Sequence, residues 1–194
     1  MYVLQGVIDL RKETGIGMVA CQKAMKESDG DIVKAREILR KNGHDFAEQV
    51  ASKEVHEGLV YSYIHHNNKV GAIVEIRCQT DFCAHSLVEF AKSICMQICA
   101  TNPEFITERS VPVERVSQEK VKIFEELEEL GKQEEEIGTI LKGKMRKFYL
   151  EHCLLCQKSI YNSLLTVRDM LNDKIKQTGE NIMIIRFCRY QLGE

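Results

Sequence analysis

The residues best equipped for chemistry in this chain are thiols. Cys153-Leu154-Leu155-Cys156 has the C-x-x-C spacing of a dithiol or half a zinc site, with His152 beside it. Cys95 and Cys99 lie one helical turn apart and offer a second pair. Structural zinc needs four converging ligands. Both pairs sit on apolar stripes and nothing in the pattern brings them together, so no metal and no cofactor is expected. The eight cysteines (Cys21, Cys78, Cys83, Cys95, Cys99, Cys153, Cys156 and Cys188) mostly occupy apolar helix or strand patterns. They read as small buried hydrophobes of a reducing compartment. The signatures G-x-x-x-x-G-K-[ST], G-x-S-x-G and H-E-x-x-H do not occur. His65-His66 and the scattered acids form no recognisable constellation, so covalent catalysis is not expected either.

A different use of side chains is suggested by CQTDFCAHS, residues 78–86. Here a strand-like run ends, and a large apolar residue, Phe82, follows the charged Asp81. The pattern Ser86-Leu87-Val88-Glu89 reads as a capping box with Ser86 as N-cap. That reading leaves Asp81 and Phe82 at the strand exit, before the regular helix. By residue pattern, Phe82 reads as a staple on the first helical turn or the sheet edge. The alternative is a side chain held out for a partner to bury.

The elements that must position these residues fall into two patterns. Residues 3–42 read as three short helices. The first covers Val3 to Glu13 and ends at Gly15. The second carries Met18, Cys21 and Met25 and is broken by Asp29-Gly30-Asp31. The third has Asp31 as N-cap, Ile32, Ala35 and Leu39 at helical spacing, and Gly43 at C′. Residues 44–56 read as a helical linker. Strand alternation follows in Leu59–Ile64 and again from Val70 to Cys78, with turn residues His66-Asn67-Asn68-Lys69 between them. A helix with Leu87, Phe90, Ala91, Ile94 and Ile98 on one face stops near Asn102-Pro103. Helices over 117–130 and 134–153, joined at Gly131, carry the stripe Ile137, Leu141, Met145 and Phe148. Thr166–Asp169 opens a helix that ends by Gly179, and residues 181–190 read as a third strand. The acidic run Glu125–Glu129 and Glu134–Glu136 reads as a solvated helical hairpin.

Hydrophobic residues make up 44% and charged residues 29%, and the formal net charge is −2. That charge argues against general nucleic-acid binding, which wants a positive field. No apolar run is long enough to span a bilayer. MYVLQGVIDLRKETG does not read as a signal peptide. A cytoplasmic protein is expected, with no direct nucleic-acid or membrane partner.

TGIGMVACQKAMKESDGDIVKAREILRKNG resembles the N-terminal module of bacterial elongation factor Ts. EGLVYSYIHHNNKVGAIVEIRCQTDF resembles that family's sheet-forming core, and GENIMIIRFCRYQLGE the closing strand of its short, single-core form. The resemblance implies an α+β fold: an N-terminal three-helix, ubiquitin-associated-like module over 1–43, a linker over 44–56, and a core over 57–194 with a three-stranded antiparallel sheet packed with helices. It implies a guanine-nucleotide exchange factor that binds elongation factor Tu–GDP and promotes GDP release, and a homodimer. Thr80-Asp81-Phe82 matches the family motif whose Asp and Phe enter the GTPase near its magnesium site. His65, Gly15-Ile16-Gly17-Met18 and Gly179 match further family contacts. Each has a local reading as well: a solvated hairpin histidine, a tight interhelical turn, and a helix-terminating glycine. Gln79 stands where the family often has Glu, and Cys83 where it often has Val. Ala20 replaces a common acid, and the segment from Cys153 to Ser159 departs most, which leaves the loop after Gln157 open. A helical adaptor using residues 3–42 is the alternative function, and it leaves Thr80-Asp81-Phe82 unused.

Overall fold

The computed structural model describes residues 2–14, 16, 18–130 and 134–194. The elements are α1 (Tyr2–Thr14), α2 (Met18–Glu27), α3 (Ile32–Val50), β1 (Glu57–Ile64), β2 (Val70–Cys78), α4 (Asp81–Ser86), α5 (Val88–Thr101), α6 (Val113–Glu129), α7 (Glu134–His152), α8 (Val167–Thr178) and β3 (Met183–Gln191). The three strands form one antiparallel sheet in the order β1-β2-β3. This is the expected α+β architecture with helices at the N-terminus. Gly15, Gly17 and Gly131 lie outside the described residues.

The chain divides into two compact units. The first comprises Met1–Leu59, Arg77–Leu87 and Asp169–Met183. In it, Val7, Leu10, Cys21, Ala24, Met25, Ala35 and Leu39 form the core of the helices α1 to α3. The turn into α3 needs left-handed backbone at Asp29 (φ 52°) and Gly30 (φ 85°). The Asp31 carboxylate then accepts from the Val33 and Lys34 N–H groups, as its N-cap role requires.

Gly43 does not end α3. It is buried in mid-helix, and α3 continues to Val50 through the first half of the expected linker. Tertiary bonds beyond Gly43 outweigh its low helix propensity. His44 Nε2 lies 3.1 Å from Asp169 Oδ1, and its Nδ1 accepts from Asn172 Nδ2 at 2.9 Å. Such partners cannot be read from local pattern, because they stand more than a hundred residues away.

The second unit comprises Val60–Ile76, Val88–Arg168 and Ile184–Glu194. The hairpin turn uses Asn68 at φ 55°, as its residue type suggested. On α5, Phe90, Ala91, Ile94 and Ile98 are all buried, and the helix stops before the left-handed Asn102. Helices α6 and α7 close over Ile123, Leu127, Ile137, Met145 and Phe148. Glu125, Glu126, Glu128 and Glu129 face solvent, and Lys144 donates to Glu126 at 2.6 Å. The loop after Gln157 is closed by a buried amide network. Gln157 Oε1 accepts from Gln97 Nε2 (3.2 Å) and Thr101 Oγ1 (2.6 Å), while Gln97 Oε1 accepts from the Ile160 N–H (2.9 Å).

Burial, followed by the neighbouring Asp169 carboxylate, pushes the Asp173 carboxyl up from 3.8 to about 7, against a smaller opposing pull from Lys176. A carboxyl raised on folding lends stability that is full below its unfolded pKa and is lost as pH climbs through the folded one. Asp173→Asn is therefore expected to leave Tm unchanged near pH 4 and to raise it by a few degrees at pH 8. Thermal unfolding across that range checks this.

Candidate functional site

The site is built at the exit of β2, inside the first unit. Thr80 is the N-cap of α4, and its hydroxyl accepts from the Cys83 N–H at 3.2 Å. This overturns the capping box at Ser86. Ser86 is instead the last residue of α4, and its hydroxyl donates to the Cys83 carbonyl at 2.7 Å. The helix expected after Ser86 is α5, which starts at Val88; the unforeseen element is the short helix α4 before it, which Thr80 opens by satisfying a first-turn donor.

The new start rotates the motif. On α4 the buried positions are Cys83 and Ala84, followed by Leu87 at the cap. That spacing is helical, so Asp81, Phe82, His85 and Ser86 take the outer face. Phe82 is 87% exposed. It is no staple: it touches neither a first-turn partner nor the sheet edge closely enough to be covered. Asp81 is also exposed and sits 3.5 Å from His85, one turn on. An acid in the first turn suits the helix N-terminus.

What holds this outward-facing turn is Glu180. Its Oε2 accepts from the N–H groups of Gln79 (3.1 Å) and Thr80 (3.0 Å), and its Oε1 accepts from the Thr80 hydroxyl (2.7 Å). The neighbouring residue locks back in the other direction. The Asn181 N–H donates to Gln79 Oε1 at 3.0 Å, and Asn181 Nδ2 donates to the carbonyls of Ala51 (3.2 Å) and Lys53 (2.8 Å). Asn181 is buried. Gly179 has φ +75°, and an added Cβ would meet nothing within 4 Å, so glycine is required by backbone angle alone. It turns the chain so that Glu180 and Asn181 reach the β2 exit. Sequence reasoning singled out Gly179 and missed the two residues after it. Their signal was the run Gly179-Glu180-Asn181 itself, polar residues between a helix end and a strand.

Two thiols lie under the same turn. Cys78 and Cys83 are buried, and their sulfurs and a Glu180 oxygen all lie within 4.8 Å of one another. Cys78 Sγ donates to the Thr80 carbonyl at 3.2 Å. Burial first, then the neighbouring Cys78 and Glu180, pushes the Cys83 thiol up to about 12, and burial raises Cys78 as well. Both are protonated at neutral pH. This cluster also escaped sequence reasoning, since its members are five and about a hundred residues apart. The pairs that were weighed, Cys95/Cys99 and Cys153/Cys156, belong to no group of three close donors among the described residues.

The remaining expected site residues have local roles. Ile16 and Met18 pack against the core of the helices α1 to α3. His65, in the second unit, ends the hairpin: its N–H donates to the Val70 carbonyl at 2.9 Å. Its Nδ1 is 3.0 Å from the Tyr63 hydroxyl, and its ring is half-buried against His66. The structure therefore groups Thr80, Asp81, Phe82 and Gly179 through Glu180 and leaves His65 in a separate, local setting.

Comparison with known proteins places the chain. The family described as elongation factor TS matches residues 31–194. An elongation factor Ts of Fervidobacterium nodosum is 42% identical over 192 residues, covering 98% of each chain. One from Caldanaerobacter subterraneus subsp. tengcongensis is 43% identical over 196 residues, covering 100% of this chain and 98% of its own. One from Oleidesulfovibrio alaskensis is 43% identical over 189 residues, covering 96% of each. The chain belongs to the elongation factor Ts family, a family of translation elongation factors.

Glu180→Ala leaves three donors without their acceptor. It is expected to cost about 1 kcal/mol, because the Gln79 N–H is partly buried while the two Thr80 donors are exposed and water takes the place of the carboxylate there. Faster amide hydrogen exchange at Gln79 and Thr80, with the exchange of α6 and α7 unchanged, would locate the loss at this turn.

Proposed function

We propose that the chain is a guanine-nucleotide exchange factor for elongation factor Tu. It binds the GDP form, promotes release of GDP and is displaced when GTP enters. It acts by binding and makes no covalent bond, and its place of action is the cytoplasm. The observation that carries the reading is the 87% exposure of Phe82 on a backbone pinned by Glu180.

An exposed phenylalanine contributes little to its own fold. Covered by a partner, it is worth roughly 1.5–3 kcal/mol. Tight GDP binding by a GTPase rests on a metal ion and on backbone N–H groups around the phosphates. If the Phe82 contact forms only when those elements are displaced, its energy supports roughly a 10–100-fold loss of nucleotide affinity. Coupling is reciprocal, so GDP weakens the factor by the same ratio. Asp81, beside it on the outer face, supplies a charge that opposes phosphate and competes for cation. Ile16 and Met18, with Gly15 and Gly17, form the second contact, and His65 a third.

The sheet supports a homodimer. Val60 (69%), Ile64 (63%) and Tyr190 (71%) are exposed. Ile64, Gly71, Ile73, Tyr190 and Leu192 line a shallow apolar groove in the second unit. A second copy of the chain covers this face in the proposed assembly. Ile64→Glu is expected to keep the far-UV circular dichroism of the parent, to shift sedimentation equilibrium to monomer and to remove the concentration dependence of Tm.

Release of fluorescent GDP from elongation factor Tu tests the exchange reading. The intact protein is expected to accelerate release. Phe82→Ala should lose about 10–100-fold of that acceleration with stability within about 0.5 kcal/mol of the parent. Leu87→Ala, at a fully buried position, should instead cost about 2–5 kcal/mol of stability. No acceleration by the intact protein would overturn the function.

A further inference from the structure

We propose that Cys78, Cys83 and Glu180 form a zinc site beneath the β2 exit. Their donor atoms lie within 4.8 Å of one another and come from three anchored places: the end of β2, the first turn of α4 and the segment between α8 and β3. Two ligands on a tetrahedral zinc, with Zn–S near 2.3 Å, stand roughly 3.8 Å apart. The remaining gap is about 1 Å or less, within the reach of side-chain rotation.

The donor set suits zinc. Two thiolates and one carboxylate are borderline-soft and hard donors of the kind zinc accepts together, whereas magnesium and calcium take oxygen alone. The carboxylate is already oriented. Its hydrogen bonds from Gln79, Thr80 and the Thr80 hydroxyl use three lone-pair positions and leave one on Oε1. Such outer hydrogen bonds fix a metal-binding carboxylate in place. The two cysteines are buried and Glu180 is half-exposed, so the three donors lie at the edge of the buried layer.

The binding step balances simply. Zn2+ replaces the protons of the two thiols, which pass to solvent as two H+, and forms two Zn–S bonds and one Zn–O bond. Water takes the fourth position. The site then carries one net negative charge in place of one on Glu180 alone, and no electron is transferred. Because the thiol protons must leave, affinity rises with pH.

The test uses the full-length chain, reduced and stripped of metal. Competition with a chromophoric chelator is expected to yield one Zn2+ per chain, and Co2+ to give thiolate charge-transfer and tetrahedral visible bands. Cys83→Val and Cys83→Ser should each lose the equivalent and the bands while keeping the metal-free Tm within a few degrees. Cys153→Ser should keep both. No bound zinc, an equivalent that survives both Cys83 variants, or loss with Cys153→Ser would overturn the proposal. So would loss of the two thiols to a disulfide with no zinc uptake under reducing conditions. These readouts do not involve nucleotide release, so they stand or fall apart from the exchange reading.

Discussion

The Glu180 carboxylate fixes the geometry on which the functional face depends. It ends the sheet's backbone pairing at the β2 exit by taking two N–H groups that strand pairing leaves over, and it holds the Thr80 hydroxyl, whose oxygen also caps α4. One side chain therefore sets where the strand stops and where the helix starts. The start of a helix determines which of its residues face inward. Without the Thr80 cap and α4, residues 81–86 would be a loop before α5, and Phe82 would no longer be fixed on the outer face.

The cost of presenting an apolar residue this way is small when the backbone around it is well made. Phe82 leaves no hole behind it, because Cys83, Ala84 and Leu87 fill the buried side. Single exposed hydrophobes are ordinary on protein surfaces. What distinguishes this one is rigidity. The turn that carries it is tied to residues a hundred positions away by both Glu180 and Asn181, and Asn181 in turn holds the chain after α3. A side chain presented on such a frame loses little freedom when a partner covers it, and more of its contact energy remains for the complex.

Most of the fold was legible because it follows from local periodicity. The alternation of Ala72, Val74, Ile76 and Cys78, the helical stripe from Leu87 to Ile98, and the left-handed positions at Gly30, Asn68 and Gly179 all appear where the residue types place them. The failures share one cause. Gly43 reads as a stop but lies inside α3, and residues 81–86 read as a strand exit but form α4; both depend on partners distant in sequence, His44 with Asp169 and Thr80 with Glu180. Ser86 and Glu89 do form the capping-box pattern, but a pattern names candidates and long-range acceptors decide between them. The candidate site was legible as Thr80-Asp81-Phe82. Its supports, Glu180 and Asn181, were not, since no local rule links them to residue 80.

The two departures from the family pattern at this turn gain meaning from the same carboxylate. A family-like Glu at position 79 would also accept the Asn181 N–H, but it would set a second anion beside Glu180 and the two thiols. Gln79 makes the bond without charge. A family-like Val at position 83 would fill the buried side of α4 with hydrocarbon. Cys83 fills it with a thiol whose sulfur lies within 4.8 Å of the Cys78 sulfur and a Glu180 oxygen. Together the changes remove one negative charge and add one soft donor at the same point. The pinned turn needs only Glu180 and Thr80, so it tolerates both changes. The space beneath it can therefore hold different side chains while the outer face, where Asp81 and Phe82 stand, keeps its geometry.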